Sequence, residues 1–167
     1  MPSLYLIRHG IAEERGTYAD DNLRSLTDEG RKKTKQVAKR LYDLGLRFDI
    51  LQTSPLVRAQ QTSEIFVNIF NCPGEQSKEL APEGNLEAWL SWANEWISEH
   101  PQPARASLGI IGHEPDLSTW AEMLIWGNSK GSLVLKKAGI IGLALPENEP
   151  WQGNSILFLS IPPKLLI

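Results

Sequence analysis

Short apolar runs and helical periods alternate along the first two thirds of the chain. Ser3–Ile7 (SLYLI) is an apolar run that stops at Arg8-His9-Gly10, a pattern that predicts a buried strand followed by a bend. Residues 11–26 are polar, carry Gly16, Asp20, Asp21 and Asn22, and predict a loop. At Thr27 the period becomes helical. Thr27 suits an N-cap, and Asp28 and Glu29 sit in the first turn, where carboxylates complement the helix dipole. Val37, Ala38, Leu41 and Leu44 recur on one face, and Gly45 is a stop signal.

Asp49–Thr53 (DILQT) predicts a second strand. Ser54-Pro55 then predicts a helix start, with Ser54 as N-cap and Pro55 at the first helical position. Ala59, Ile65, Phe66 and Ile69 would form its buried face. Asn71–Gln76 predicts a turn and Ser77–Leu80 a third, short strand. Leu86–Ile97 carries Trp89, Trp92 and Trp96 on one helical face, and that stripe predicts core. Pro101–Arg105 predicts a loop, Leu108–Ile111 a strand ending at Gly112-His113, and Pro115 the start of a helix to about Ile125. Gly139–Leu145 and Ile156–Ile161 predict two final strands, adjacent and antiparallel. Strand and helix alternate early and strands close the chain. The expected fold is α/β, three-layer α/β/α, with a mainly parallel mixed sheet.

Composition narrows this without changing it. The chain has 167 residues, which suits a single domain spanning 1–167. Hydrophobic residues make up 41% and charged residues 22%, values that exclude general disorder. A net charge of −3 argues against a broad nucleic-acid footprint. One cysteine, Cys72, excludes an intramolecular disulfide and fits a reducing compartment. With three histidines and that one cysteine, no metal site is expected. The N-terminus lacks the pattern of a signal peptide, and the apolar stretches Ala138–Pro146 and Ile156–Pro163 are too short to span a bilayer. The expectation is a cytoplasmic protein, monomeric and without membrane contact.

Candidate chemistry collects at three predicted strand ends. They carry Arg8-His9-Gly10, then Thr53-Ser54-Pro55 with Arg58 just beyond, then Gly112-His113-Glu114-Pro115. In a parallel sheet these meet on one rim, where α/β folds bind ligands. Two permanently charged guanidiniums suit an anion with several oxygens. A neutral imidazole can attack phosphorus, and a second histidine can hold the transferred group or move protons. Together these point to phosphoryl transfer through a phosphohistidine intermediate, with charge neutralised by arginine and no cofactor needed. Adjacent strand residues face opposite ways, so Arg8 and His9 can share one phosphate only if His9 lies at the strand end, with Gly10 permitting the bend.

These motifs, together with Leu26-Thr27-Asp28-Glu29-Gly30 and Ser54-Pro55-Leu56-Val57-Arg58-Ala59-Gln60-Gln61-Thr62, resemble the histidine phosphatase (phosphoglycerate mutase-like) superfamily. Their order and spacing match over about residues 4–125. The short segment Ala81–Ser107 and the Arg24–Thr27 pattern resemble the compact SixA-type branch, the phosphohistidine phosphatases. That resemblance implies His9 as nucleophile, Arg8 and Arg58 as phosphate ligands, and His113 completing the pocket. It also implies, as substrate and partner, a protein bearing phosphohistidine, such as a histidine phosphotransfer domain. Many superfamily members carry a general acid after the third strand, and Glu83 is the nearest candidate. Imidazole is a better leaving group than an alkoxide, so this branch can work without such an acid. A small-molecule phosphomonoesterase is the alternative on the same chemistry. A mutase would need more loop than the chain provides, and a binding module without turnover would not need both histidines.

Other residues have plainer readings. His100 sits in a polar loop and is expected to be exposed, and Cys72 to be structural. Arg31, Lys32, Lys33, Lys35, Lys39 and Arg40 make the first helix basic, as a solvated face often is; the same face can also guide an acidic partner.

Overall fold

The computed structural model describes all 167 residues, Met1 to Ile167. Six strands form one sheet: β1 (Ser3–Arg8), β2 (Ile50–Thr53), β3 (Gly74–Gln76), β4 (Ser107–Gly112), β5 (Ile140–Ala144) and β6 (Ile156–Ile161). Four helices cover it: α1 (Asp28–Asp43), α2 (Val57–Phe70), α3 (Leu86–Glu99) and α4 (Asp116–Trp126). The strand order is β3-β2-β4-β1-β5-β6. β1, β2, β3 and β4 run parallel, while β5 is antiparallel to β1 and β6 antiparallel to β5. This is the expected three-layer α/β/α fold with a mixed, largely parallel sheet.

Side-chain alternation along the central strands builds the layers. Leu4, Leu6, Ile50, Leu108, Ile110, Ile141 and Leu143 face a cluster with α3 and α4, closed by Trp89, Leu90, Leu117, Trp120 and Leu124. Ile7, Leu51, Ile111 and Ile140 face the other way, onto Val37, Ala38 and Leu41 of α1 and Ala59, Phe66 and Phe70 of α2. Strands buried on both faces read as unbroken apolar runs, as β1 and β4 do. The tryptophan stripe is core as expected. Trp89 is fully buried and its Nε1 donates to Gln52 Oε1 at 2.7 Å, which satisfies the one polar atom the ring carries into the interior. Trp92 and Trp96 pack half-buried against the same cluster.

Three expectations need correction. The third strand is Gly74–Gln76, and Lys78–Leu80 within the predicted strand Ser77–Leu80 is a single 3-10 turn. All three strand residues are exposed at the sheet edge, so no hydrophobic alternation marks them. Backbone bonds from Leu51 N–H to Pro73 O and from Ser77 N–H to Thr53 O, both 2.9 Å, hold the edge instead. Second, α2 begins at Val57 with Leu56 at the N-cap, not at Pro55 with Ser54 capping. The Ser54 hydroxyl accepts from Leu56 N–H at 3.2 Å and its other partner lies in the site described below. Third, His100 is not a free loop residue. It caps α3, places Nε2 3.3 Å from Asp49 Oδ2 and keeps only 17% of its side chain exposed.

Parallel pairing sets the site. Arg8 is level with Gly112 across β1 and β4, and Thr53 with Ile111 across β2 and β4. The three motif-bearing strand ends therefore share one rim.

Candidate active site

β1 ends at Arg8, so His9 lies just beyond regular strand geometry and both side chains can serve the same pocket. The bend is pinned from two sides. Gly10 N–H donates to Thr62 Oγ1 at 3.0 Å, and that hydroxyl donates to Arg58 O at 2.8 Å. One threonine thus ties α2 to the histidine loop and accounts for its place in the second motif. A Cβ on Gly10 would stand 2.3 Å from Thr34 Oγ1, too close for any other residue. The Leu-Thr-x-x-Gly segment has the same logic. Thr27 Oγ1 accepts from Gly30 N–H at 2.9 Å, a cap worth about 1 kcal/mol. A Cβ on Gly30 would meet Ile11 O at 2.0 Å, so only glycine lets the 11–26 loop lie against α1.

His9 is 5% exposed and its Nδ1 lies 2.7 Å from Gly10 O. A carbonyl only accepts, so Nδ1 carries the proton and Nε2 keeps its lone pair. The ring of His113 is 5.2 Å away, centroid to centroid. His113 Nε2 lies 2.7 Å from Ser54 Oγ. That hydroxyl also accepts from Leu56 N–H, which leaves its proton free to be donated to Nε2; the hydrogen of His113 then sits on Nδ1, an atom buried without a partner. Ser54 is the residue whose role the sequence reading missed, because its Ser-Pro setting resembles a helix cap.

Cations surround the pair. Arg8 Nη1 donates to Leu135 O at 3.2 Å, and its Nε is buried and unpartnered. Arg58 is 4% exposed; its Nη1 donates to Asp21 O at 3.0 Å, Nη2 lies 3.4 Å from Asp21 Oδ2, and Nε is also unpartnered. Arg24, 5% exposed, bonds the other Asp21 oxygen through Nε at 2.9 Å and donates from Nη1 to Glu13 O, also at 2.9 Å. Lys137 lies in the same positive field: burial first, then Arg8, Arg24 and Arg15, lower its ammonium below the usual lysine range. Burial, then the neighbouring cations, also lowers both histidines. His9 falls to about 2, opposed only by its bond to Gly10, and His113 to about 4. Both rings are therefore neutral at physiological pH. The site has strong local positive charge inside a chain of net charge −3.

A second carboxylate shapes the wall. Glu122 of α4 is 1% exposed and accepts backbone N–H groups from Lys130, Gly131, Ser132 and Leu133. Those bonds, that from Leu133 first, bring its carboxyl down to about 2. They hold the loop from which Leu135 O reaches Arg8 and Ala138 N–H reaches the carbonyls of Arg8 and His9. The signal in the sequence was a single carboxylate inside the apolar run of α4.

His9, Arg8, Arg58 and His113 thus come together. Glu83 is exposed, with φ of 65° and its N–H donating to Asp116 Oδ2 at 2.7 Å. Asp116 opens α4 three residues after His113, so Glu83 is anchored at the rim of the site, and its carboxylate makes no hydrogen bond. No three His, Cys, Asp or Glu side chains cluster as a metal site, and no helix is long and apolar enough to cross a membrane.

Comparison with known proteins places the chain in a family and agrees with its fold. The family profile of the histidine phosphatase superfamily (branch 1) matches residues 4–115. The chain belongs to the histidine phosphatase superfamily. It is 44% identical to an uncharacterized protein of Picosynechococcus sp. over 98% of both chains. It is also 43% identical to a stretch of the mitochondrial serine/threonine-protein phosphatase Pgam5 of Drosophila mojavensis, covering 36% of this chain and 22% of that one. Among solved structures, the protein histidine phosphatase SixA complexed with tungstate superposes with a TM-score of 0.84 over 99% of both chains at 24% identity. A putative alpha-ribazole-5'-P phosphatase of Escherichia coli K-12 gives 0.70 over 98% of both at 18% identity. A phosphoserine phosphatase of Entamoeba histolytica gives 0.71 over the full length of both at 14% identity. The SixA-like superposition fits the compact fold, and the other two show that the same frame occurs in proteins named for small-molecule substrates.

Proposed function

We propose that this chain is a metal-independent protein phosphohistidine phosphatase, with a histidine phosphotransfer domain as the kind of partner it acts on. The observation that carries the reading is the His9 tautomer, fixed by Gly10 O so that Nε2 keeps its lone pair in a site shared with His113, Arg8 and Arg58. His9 Nε2 attacks the phosphorus of the substrate phosphohistidine. The phosphorus–nitrogen bond to the substrate ring breaks, the electron pair stays on that nitrogen, and water supplies its proton. Positive charge develops on the His9 ring, and the Nδ1–H bond to Gly10 O strengthens with it. Arg8, Arg58 and His113 Nδ1–H hold the phosphoryl oxygens. A water then attacks phosphorus, the bond to Nε2 breaks, and inorganic phosphate leaves with the remaining proton passed to solvent.

Between β3 and β4 the chain holds only two 3-10 turns, Lys78–Leu80 and Pro103–Arg105, and α3, a short connection that favours access by a protein surface. The likeness to SixA, named for protein histidine phosphatase activity, supports the same choice. The alternative, a small-molecule phosphomonoesterase, draws on the alpha-ribazole and phosphoserine phosphatase likenesses, and in it Glu83 would protonate an alkoxide.

Phosphate release by wild type and His9→Ala, with chelator present, tests this on three substrates: a phosphohistidine-bearing phosphotransfer domain, a sugar phosphate and an aryl phosphate. The expected result is fast release from the phosphoprotein, slow release from the sugar phosphate and none by the variant. Preference for the sugar phosphate, lost in Glu83→Gln, would favour the alternative. Activity retained in His9→Ala would overturn both.

A further inference from the structure

A cavity of about 650 Å³ lies beside the histidine pair but does not include it. It runs between α1 and the chain that follows β6, with Ile11, Leu135, Ile140, Ile161, Pro162 and Ile167 among its apolar walls. Arg8, Lys33, Lys136, Lys137 and Lys164 also line it; no Asp or Glu side chain does, and the one carboxylate carried by a lining residue is the main-chain terminus of Ile167, which pairs with none of these cations. Lys33 shares its charge with Glu29 at 2.9 Å, whereas Lys136, Lys137 and Lys164 form no ion pair. On the α1 wall Thr34 Oγ1 is fully buried without a hydrogen-bond partner. The volume falls within the range of small-molecule pockets, roughly 300–1,000 Å³. Apolar walls and three lysines without an ion-pair partner define the ligand by complementarity: one anionic head and one apolar body.

We propose that this cavity binds an amphiphilic anion, an acyl-chain carboxylate or phosphate, with its tail on the apolar walls and its head on Lys136, Lys137 and Lys164. The cavity shares Arg8 and Lys137 with the candidate active site, so the ligand sits next to the phosphate pocket without filling it. The proposal stands on the cavity alone and does not depend on the reaction assigned to His9.

Calorimetric titration of the full chain tests it, using probes below their micelle concentrations and saturating inorganic phosphate to occupy the catalytic pocket. Laurate and dodecyl phosphate separate the two head groups. Dodecyltrimethylammonium keeps the tail and reverses the charge, and acetate keeps the charge and removes the tail. Saturable one-site binding is expected for laurate, dodecyl phosphate or both, and for neither control. Lys136→Glu/Lys164→Glu, two exposed positions outside the reaction pocket, should weaken that binding tenfold or more while turnover of an aryl phosphate is unchanged. Equal binding of the cationic probe, displacement by inorganic phosphate, or a Kd within twofold of wild type in the double variant would overturn the proposal.

Discussion

Two neighbouring places in this molecule concentrate positive charge, and they hold it in opposite ways. Around His9 and His113 the guanidiniums of Arg8, Arg24 and Arg58 are braced. Asp21 clasps Arg24 and Arg58, Glu13 O and Leu135 O take further guanidinium donors, and Glu122 fixes the loop behind Arg8. In the adjoining cavity Lys136, Lys137 and Lys164 have no carboxylate partner, and the walls are apolar. Charge that must stabilise a developing transition state has to be oriented beforehand, because reorienting it during reaction costs free energy. Charge that only recruits a head group can stay on flexible lysine stems. Bracing, more than the number of cations, therefore distinguishes the histidine site from the adjoining cavity.

The largest test of that contrast is removal of a braced cation. Arg58→Ala should lower kcat by about 10²–10³-fold, in the range of a lost oxyanion donor, as measured by phosphate release at saturating substrate. A loss below tenfold would put Arg58 on the recruiting side of the contrast. The next effect is on stability. The His113 ring falls to about 4 when folded and titrates near 6.5 when unfolded. Between those values the unfolded chain binds a proton that the folded chain refuses, so stability falls as pH drops through this window. The His113 contribution is on the order of 3 kcal/mol, and urea midpoints at pH 7 and pH 5 should differ less in His113→Gln than in wild type. His9 acts in the same direction over a wider range, and Glu122 adds a loss only below about pH 4.5, as pH moves towards its folded value of about 2.

Smaller effects sharpen the bracing itself. Ser54→Ala frees the His113 tautomer and should reduce kcat by about tenfold, in the manner of a lost orienting partner, with Ser54→Thr restoring it. A change in KM alone would mean that the hydroxyl helps binding and not the orientation of the ring. Glu122→Gln weakens the four-amide grip on the 130–133 loop. It should raise KM several-fold with little change in kcat, since it acts on Arg8 only through Leu135 O. An unchanged KM would remove Glu122 from the positioning network.

The layers and the meeting of the three motif-bearing strand ends at one rim were legible because they depend on patterns local to each segment. β1 and β4 are apolar runs buried on both faces, and the parallel arrangement alone carries Arg8, His9, Arg58 and His113 to one edge. β3 escaped notice because three exposed edge residues carry no hydrophobic period; backbone bonds to β2 define it. The role of Ser54 was hidden because a serine before proline suits a helix cap equally well, and only the fold shows His113 within 2.7 Å of its hydroxyl. Asp21 and Glu122 were illegible for a related reason. Each acts on groups that tertiary structure delivers, Arg58 37 residues away in one case and a run of turn amides in the other. The cavity is also a product of packing, because its walls come from α1, the 134–140 segment and the chain after β6.

The central claim is that His9 Nε2 carries the phosphoryl group between substrate and water. Its most direct test is to mix the protein with a phosphohistidine-bearing phosphotransfer domain, quench in alkali, where phosphohistidine survives, and map the modified peptide by mass spectrometry. One phosphoryl group is expected on the peptide containing His9, appearing before inorganic phosphate and absent in His9→Ala. Phosphate release with no modified His9 peptide at any time point, and a label on another residue or on none, would contradict it.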